Sequence, residues 1–265
     1  MNTTEYFSIV NEFFGWGDPG SQETPGIWFI GIEEGGAWPN AELLRDKGLT
    51  SAGLTPEATL TLSQSHIKIY QARYEGKAFL ETTPEIKNRW KNSRWQGPRR
   101  ISRIVSELSR RFEECRDHNP DEPWEYYEVN MLWEKGSSVC QANLYPIGRP
   151  KLRGWFPHYT QLFGLHQEEW ERNKIQICGP RLEKLRELWR THQPQATICF
   201  GLSYQQHFKQ SLFPPPDFKW APADGNRIHR CEKEHILIVH HLSRVSNKVL
   251  SSVRDILKDW HVVIP

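Results

Sequence analysis

Short apolar runs alternate with amphipathic stretches along this chain. The run at residues 27–32 (IWFIGI) is apolar at nearly every position, which is typical of a strand buried on both faces of a parallel sheet. Further runs at residues 139–144, 196–200, 226–231 and 235–239 predict additional strands. Because strands alternate with helical patterns, the sequence predicts an α/β fold with a mainly parallel sheet.

Helical spacing of apolar residues predicts the remaining elements. In these segments an apolar residue recurs at every third or fourth position, the pattern of a helix with one face toward a core. Gly179 and Pro180 predict an interruption within the longest segment. The predicted helices span residues 4–14, 56–79, 101–115, 159–165, 167–191, 204–212 and 247–260, and residues 262–264 predict an edge strand.

The length and composition of the chain favour a single domain at residues 1–265. A chain of 265 residues with 37% hydrophobic content is able to bury one large core, and no shift in composition indicates a second. The N-terminal residues lack the pattern of a signal peptide, and no apolar run approaches the roughly 20 residues that span a bilayer. We therefore expect a cytoplasmic protein that has no membrane partner.

The cysteines predict reduced, mostly buried thiols. They are odd in number, widely spaced and never in a C-x-x-C pair, which disfavours a disulfide framework or an iron–sulfur site. The spacing of His229, Cys231 and His235 is compatible with zinc, but two strands with incidental polar residues explain it better. We expect no metal and no cofactor. The five cysteines are Cys115, Cys140, Cys178, Cys199 and Cys231.

Polar motifs follow three of the predicted strands. They are GIEEGG at residues 31–36, NLYP at residues 143–146 and HHLSRVS at residues 240–246. Ligands of parallel α/β sheets bind beyond the carboxyl ends of the strands. The three motifs therefore predict a single site.

In their order and spacing, these motifs resemble those of the uracil-DNA glycosylase superfamily. One strand of that superfamily ends in a loop such as G-Q-D-P-Y or G-E-x-P-G, which positions the hydrolytic water, and residues 31–35 (GIEEG) match it. Asn143 matches an asparagine that reads the base, and residues 241–246 (HLSRVS) match the motif H-P-S-P-L-S. The resemblance covers residues 27–260. It implies a monomeric DNA glycosylase with a three-layer α/β/α sandwich around a mainly parallel central sheet, uracil-DNA glycosylase-like.

The resemblance implies that Glu33, Asn143 and His241 are catalytic. Cleavage of an N-glycosidic bond develops positive charge on the sugar and negative charge on the leaving base. Glu33 would hold the water or the charged sugar, and Asn143 and His241 would stabilise the departing base. The target nucleotide must first leave the stack. By the same resemblance, Val245 with Arg244 beside it would fill the gap as a wedge.

The chain departs from the family in the base pocket that the resemblance implies. Glu33 replaces a shorter Asp or Asn, Glu34 replaces a proline, and Gly35 replaces the bulky tyrosine that blocks the 5-position in the strictest uracil enzymes. The two prolines of the last motif are Leu242 and Arg244 here. A wider pocket favours a modified or bulky pyrimidine, such as those of hypermodified viral DNA, and a role in anti-phage defence. The predicted pocket residues are Gly31, Ile32, Glu34, Gly35, Gly36 and Trp38.

Two basic stretches predict contacts to DNA phosphates. The formal charge of the whole chain is only +2, yet residues 87–103 hold seven cationic residues and no acidic one, interleaved with tryptophans. A second basic cluster closely follows Asn143. The alternative interpretation is a solvated loop and helix face. The predicted DNA-binding residues are Arg94, Trp95, Arg99, Arg100, Arg149, Lys151, Arg153, Ser243, Arg244, Val245 and Ser246.

Other interpretations of the same residues stay open at this point. Glu33 and Glu34 alone could cap a turn, since carboxylates favour helix N-termini, and an isolated His241 is more often a structural histidine. The changes at residues 33–35 are also compatible with a non-catalytic protein that binds DNA or a modified base. Hydrolysis of free nucleosides or nucleotides is a third alternative, which needs no basic stretch.

Overall fold

A computed structural model describes most of the chain outside its N-terminal third. The predicted helices at residues 4–14 and 56–79 lie outside the described residues except at their ends, where Phe14 is in no regular element and Phe79 is in a strand. At residues 33–35, 96 and 147–149 the backbone alone is described. The described ranges are residues 14–35, 78–80, 82, 96–149, 155, 159–160, 164–214, 217–242 and 244–265.

The described residues contain eight strands, which form one sheet. The strands are β1 (Gly15–Gly17), β2 (Ile27–Gly35), β3 (Phe79–Leu80), β4 (Val139–Arg149), β5 (Ala196–Phe200), β6 (Ala221–Ala223), β7 (Ile228–Cys231) and β8 (Ile236–Val239). Their order across the sheet is β3-β1-β4-β2-β5-β8-β7-β6.

The sheet is mixed in strand direction. The pairs β1–β3, β2–β5 and β5–β8 are parallel, whereas β1–β4, β6–β7 and β7–β8 are antiparallel. Only residues 232–235 join β7 to β8, too few for the crossover that a parallel pair requires. The predicted α/β class is confirmed, while the three-layer sandwich and the mainly parallel character of the sheet stay predictions.

Strands β2, β5 and β8 form a parallel centre that is strongly buried. Every residue of β5 and β8 is buried, and so are residues 27–30 of β2. The register pairs Ile27 with Ala196 and Thr197 with Ile236. Burial on both faces explains why these strands are continuously apolar in sequence.

Strand β1 depends on a glycine at its first position. A Cβ atom on Gly15 would lie 1.7 Å from the carbonyl oxygen of Gln141 in β4. Only a residue without a side chain allows the two backbones to approach this closely. Gly15 and Gly17 directly follow the helix predicted at residues 4–14, where glycines are typical of a helix end. In the structure they form a strand, because they permit this close pairing.

The described residues contain seven α-helices. Two of them, α4 and α5, are separated at Cys178, so the predicted interruption near Gly179 and Pro180 is confirmed. None of the described helices combines the length and the apolar character needed to cross a membrane. The helices are α1 (Gln96–Val105), α2 (Phe112–His118), α3 (Pro123–Asn130), α4 (Gln167–Ile177), α5 (Gly179–His192), α6 (Gln205–Ser211) and α7 (Asn247–Asp259).

The single helix predicted at residues 101–115 is wrong. Helix α1 starts earlier and passes into a 3-10 turn at Ser106–Leu108, and α2 begins only at Phe112. Between α1 and α2, backbone groups form hydrogen bonds with the C-terminal segment instead. Ile264 N donates to Leu108 O (3.0 Å), and Arg110 N donates to Ile264 O (2.9 Å). A helix through these residues would need the same groups for its own hydrogen bonds. Helix α3 was not predicted.

The chain divides into two compact units. One comprises Met1–Phe14, Glu33–Ala78 and Asn143–Lys184, and the other comprises Gly15–Ile32, Phe79–Ala142 and Leu185–Pro265. Strands β2 and β4 therefore each contribute residues to both units. The single domain at residues 1–265 stays a prediction.

The predicted state of the cysteines is confirmed. All five are buried, and none forms a disulfide. Burial raises the pKa of the Cys140 and Cys199 thiols well above the ordinary value, and it is the main cause that raises the pKa of Cys231 to about 11. These thiols stay protonated at neutral pH.

Substitution of Gly15 tests the close packing of β1. Because a Cβ would overlap a backbone carbonyl, we expect Gly15→Ala to lower the free energy of unfolding by about 1–3 kcal/mol or more. Gly179→Ala is the matched control, since a Cβ there has no neighbour within 4 Å. Urea titration followed by circular dichroism measures both. Equal stability of Gly15→Ala and the wild type would contradict this packing.

Candidate functional site

Glu33 and Glu34 lie within strand β2 rather than in a loop beyond it. The predicted strand ended at Ile32, but the structure continues it through Gly35. Residues 31–35, which the resemblance places in a water-positioning loop, are therefore part of the strand. Gly36 and Trp38, both predicted in the base pocket, lie outside the described residues.

Two other predicted pocket residues belong to the core of the sheet. Gly31 pairs with Phe200 of β5. Ile32 is buried and packs toward Gly201, where a Cβ atom would lie 2.9 Å from Ile32 Cγ1. Gly201 has φ +134°, a conformation that a residue with a side chain rarely adopts. Ile32 therefore fixes the turn after β5, which is a packing role.

Asn143 lies inside strand β4 rather than at its end. Its backbone N–H donates to Phe14 O (3.0 Å), and its backbone carbonyl accepts from Arg181 Nη2 (2.8 Å). The residue is only 6% exposed. Among the described residues, its side-chain amide makes no hydrogen bond. The amide is not among the fully buried polar groups that lack a partner, so its polar atoms keep access to solvent or to a ligand.

Arg181 holds the backbone around Asn143. Its Nε atom donates to Leu144 O (3.2 Å), the residue is 1% exposed, and its guanidinium lies 4.6 Å from the centre of the Phe14 ring. Two adjacent carbonyl groups of the strand thus accept hydrogen bonds from one charged donor. The backbone of Asn143 is therefore fixed while its side chain stays available.

A second buried cation lies in the same unit. Lys174 is 1% exposed, forms an ion pair with Glu171 Oε2 (3.0 Å), and lies 5.1 Å from the centre of the Tyr145 ring. Tyr145 also packs edge-on against Trp170. An ion pair and an aromatic face together compensate for the loss of water around the ammonium group. We assign Lys174 a structural role.

The motif at residues 241–246 forms a compact turn between β8 and α7. The carbonyl of His241 accepts from Arg244 N (2.8 Å) and from Val245 N (3.1 Å). Leu242 and Val245 are buried, at 5% and 3% exposure, whereas His241 and Arg244 are exposed. The apolar pair anchors the turn, and the polar pair faces outward.

The burial of Val245 does not fit the predicted wedge. A wedge must project into DNA, yet the Val245 side chain packs into the protein, and the backbone N–H groups of Val245 and Arg244 both donate to the His241 carbonyl. Arg244, beside it in the chain, is exposed. Ser246 was predicted to contact DNA, and its hydroxyl accepts from Val249 N (3.3 Å) as the N-cap of α7. Ser243 lies outside the described residues.

The surroundings of His241 favour its neutral form. Partial burial of the imidazole is the main cause that lowers its pKa, and the charge of Arg244 lowers it further. At neutral pH the ring therefore carries one N–H donor and one acceptor nitrogen. A neutral ring retains one N–H group, which is able to donate a hydrogen bond to a developing anion.

The predicted DNA contacts are described only in part. Arg99 is exposed on α1, with its guanidinium 5.2 Å from the centre of the Trp124 ring. Arg100 Nη1 donates to Asn247 Oδ1 (2.7 Å). Arg149 is the last residue of β4. Arg94, Trp95, Lys151 and Arg153 lie outside the described residues.

Sequence reasoning missed three residues of this region. Arg181 lies in a polar helix among other charged residues, so the sequence pattern does not distinguish it as a buried arginine. Trp124 follows Pro123, which sits in the first turn of α3, and this proline was the one available sign of that helix. Asn247 was read only as the start of α7.

The spacing that suggested zinc has a structural explanation. His235 Nδ1 lies 3.0 Å from Gln195 O, and its ring stacks on Trp260 at 4.6 Å. Cys231 Sγ donates to Glu234 Oε2 (2.9 Å). In the part of the chain that the structure describes, no group of three metal-ligating side chains comes together.

Comparison with family models, with curated proteins and with solved structures finds no match for this chain. Functional assignment therefore depends on the residues and their surroundings alone.

Replacement of Ser246 tests its role as a helix cap. We expect Ser246→Ala to cost about 1 kcal/mol, because an N–H of the first turn of α7 loses its acceptor. Ser246→Asp is the control, since aspartate caps helices equally well. Thermal unfolding should show a lower melting temperature for the alanine variant only. Equal losses in both variants would contradict a capping role.

Replacement of Arg244 tests the electrostatics of His241. Because the Arg244 charge lowers the pKa of His241, we expect Arg244→Gln to raise that pKa toward its ordinary value. An NMR titration of the His241 ring protons measures the shift directly. Arg190→Gln on α5 is the control and should leave the titration unchanged. An unaltered pKa in Arg244→Gln would show that burial alone sets it.

Proposed function

We propose that this protein is a DNA glycosylase that flips a nucleotide out of the helix and hydrolyses its N-glycosidic bond, leaving an abasic site. The observation that carries the proposal is Asn143, a buried asparagine whose backbone is fixed by Arg181 and whose amide has no partner among the described residues. An amide held in this way is suited to reading the polar edge of a flipped base.

The order of the inner strands supports the proposal. In chain order they are β2, β4, β5 and β8, but across the sheet they lie in the order β4-β2-β5-β8, so the direction of strand addition reverses at β2. Open α/β sheets bind ligands at such a reversal, beyond the carboxyl ends of the strands. Strand β2 is also the one that carries Glu33.

Each catalytic residue has a distinct role in this proposal. The Glu33 carboxylate orients the water and stabilises the positive charge that develops on the sugar. Asn143 donates to the departing base through its amide. His241, neutral near pH 7, donates a second hydrogen bond to the base as negative charge develops on it. No metal or cofactor takes part.

The proposed substrate is DNA that contains a modified or bulky pyrimidine. Gly35 stands where the resembling family places a bulky gate, so a substituent at the 5-position meets no side chain from this residue. Bases of this kind occur in hypermodified viral DNA, and their removal would serve anti-phage defence. In this proposal uracil is at most an additional substrate.

The second candidate is a non-catalytic protein that binds DNA or a modified base. The burial of Val245 favours it, since a base-flipping enzyme needs a side chain to fill the gap in the stack. In this candidate, Arg244 and the arginines of α1 hold the DNA, and Glu33 has no chemical role.

Abasic-site formation distinguishes the two candidates. The protein is incubated with plain, uracil-containing and hypermodified DNA, alkali-labile sites are counted, and released bases are identified by mass spectrometry. We expect release from hypermodified DNA, with a loss of at least about 100-fold in Glu33→Gln and in Asn143→Ala. Glu183→Gln, an exposed carboxylate on α5, is the matched control and should retain full activity.

Two results would contradict the proposal. Efficient release of uracil from plain oligonucleotides, with hypermodified DNA untouched, would overturn the proposed substrate. Tight binding without abasic sites, unchanged in Glu33→Gln, would establish the non-catalytic candidate instead.

A further inference from the structure

A groove of about 250 Å³ lies among helices α1, α3 and α7. All of its lining residues belong to one of the two compact units. It is smaller than the pockets of roughly 300–1,000 Å³ that hold drug-sized ligands. Its lining includes Arg103, Glu107, Trp124, Asn247, Leu250 and Arg254.

Two guanidinium groups of α1 converge on a single oxygen atom beside this groove. Arg100 Nη1 donates to Asn247 Oδ1 at 2.7 Å, and Arg103 Nη1 lies 3.5 Å from the same oxygen. An amide oxygen carries no formal charge, so it orients both arginines without neutralising them. Asn247 is also the first residue of α7, whose N-terminus carries a partial positive charge.

Trp124 of α3 supports the same arginines from another side. The guanidinium carbon of Arg103 lies 4.4 Å from the centre of the indole ring, and that of Arg99 lies 5.2 Å from it. Contacts of this kind hold a cation in place by the ring quadrupole and do not neutralise its charge. Because the ring already restricts these arginine side chains, they lose less conformational entropy when they bind a ligand.

The acidic residues nearby leave most of this charge uncompensated. Glu107 already pairs with Arg254 and with Lys258 (2.9 Å), and Glu122 lies 3.7 Å from Arg103. Among the described residues, neither Arg99 nor Arg100 has a carboxylate within ion-pair distance. Burial, followed by the charges of Arg103 and Arg99, lowers the pKa of Arg100.

We infer that Arg99, Arg100 and Arg103 form a phosphate site for the backbone of a nucleic acid, with Trp124 and Asn247 as the residues that position the guanidinium groups. Planar guanidinium groups bind phosphate oxygens in pairs, and several of them along one helix match the successive charges of a phosphodiester chain. The phosphate site rests on the proposed function only in that DNA is the ligand. The site itself would serve catalysis and simple binding equally.

Salt-dependent binding tests the phosphate site. Labelled 20-mer duplex and single-stranded oligonucleotides without modified bases are titrated by fluorescence anisotropy between 50 and 200 mM KCl, roughly the range over which such binding shows its salt dependence. We expect the double variant Arg100→Gln, Arg103→Gln to bind on the order of tenfold or more weakly. Its slope of log affinity against log salt should fall by about 0.9 for each duplex phosphate that the variant no longer neutralises.

Matched variants separate a phosphate site from a general loss of charge. Arg190→Gln removes one exposed positive charge from α5 and should bind within about twofold of the wild type, as expected for a screened surface charge. Trp124→Ala should weaken binding, and Trp124→Phe should restore most of it, because phenylalanine keeps an aromatic face for the arginines. Arg100→Lys keeps the positive charge but lacks the planar guanidinium that donates two parallel hydrogen bonds. Affinity should therefore fall, while the slope of log affinity against log salt stays near that of the wild type. The melting temperature of each variant shows whether it is folded.

Two results would overturn the phosphate site, and a third would overturn the positioning role of Trp124. The first is a salt slope in the double variant equal to that of Arg190→Gln. The second is displacement of the oligonucleotide by polyglutamate as effectively as by unlabelled oligonucleotide, which would indicate a surface for an acidic protein. The third is an equal reduction of affinity in Trp124→Ala and Trp124→Phe when both are folded, which would remove the positioning role of the ring.

The same samples distinguish failure of the phosphate site from failure of the proposed function. If the wild type forms no abasic sites on any DNA but the arginine variants bind DNA poorly, the proposed function is wrong and the phosphate site stands. If the wild type forms abasic sites and the double variant binds and cleaves like Arg190→Gln, the phosphate site is wrong and the proposed function stands.

Discussion

The parallel pairing of β2, β5 and β8 is the constraint on which the rest of the sheet depends. These strands are apolar along almost their whole length because both faces are covered, so neither face tolerates a shift of register by one residue. The register fixes where each strand ends, and hence where the next segment begins. Gly201 and the turn at residues 241–246 follow directly from β5 and β8.

The turn after β8 shows how packing and exposure divide within a few residues. Leu242 and Val245 are buried, and the Ser246 hydroxyl caps α7, so three of the six motif positions serve the fold. Among the described positions of the motif, His241, Arg244 and Ser246 are exposed. A motif that resembles a functional one therefore also carries structural requirements, and each position has to be judged by its own surroundings.

Much of the secondary structure was predictable from the sequence, and the reasons for the exceptions are physical. Strand β5 and helix α7 follow from short-range patterns and were predicted closely. The break between α1 and α2 was not, because it depends on Ile264, which lies far away in the sequence. The close approach at Gly15 likewise depends on β4.

The candidate site was predictable only at the level of residue types. Asn143 and His241 were identified from motifs, but the fixing of Asn143 by Arg181 and the support of Arg103 by Trp124 are contacts between separate elements. Local periodicity has no information about such pairs. The burial of Val245 was invisible for the same reason, since a valine in a polar motif reads as exposed.

The buried, unbridged cysteines have a practical consequence. The cysteines are spread over separate elements: Cys140 lies in β4, Cys199 in β5, Cys231 in β7, Cys115 in α2, and Cys178 between α4 and α5. Each thiol is buried, so reagents cannot reach it in the native state. Thiolate formation needs exposure, because burial keeps the thiol protonated. The rate at which each cysteine is alkylated thus reports how often its own element opens. The protein carries its own set of local unfolding probes without any engineering.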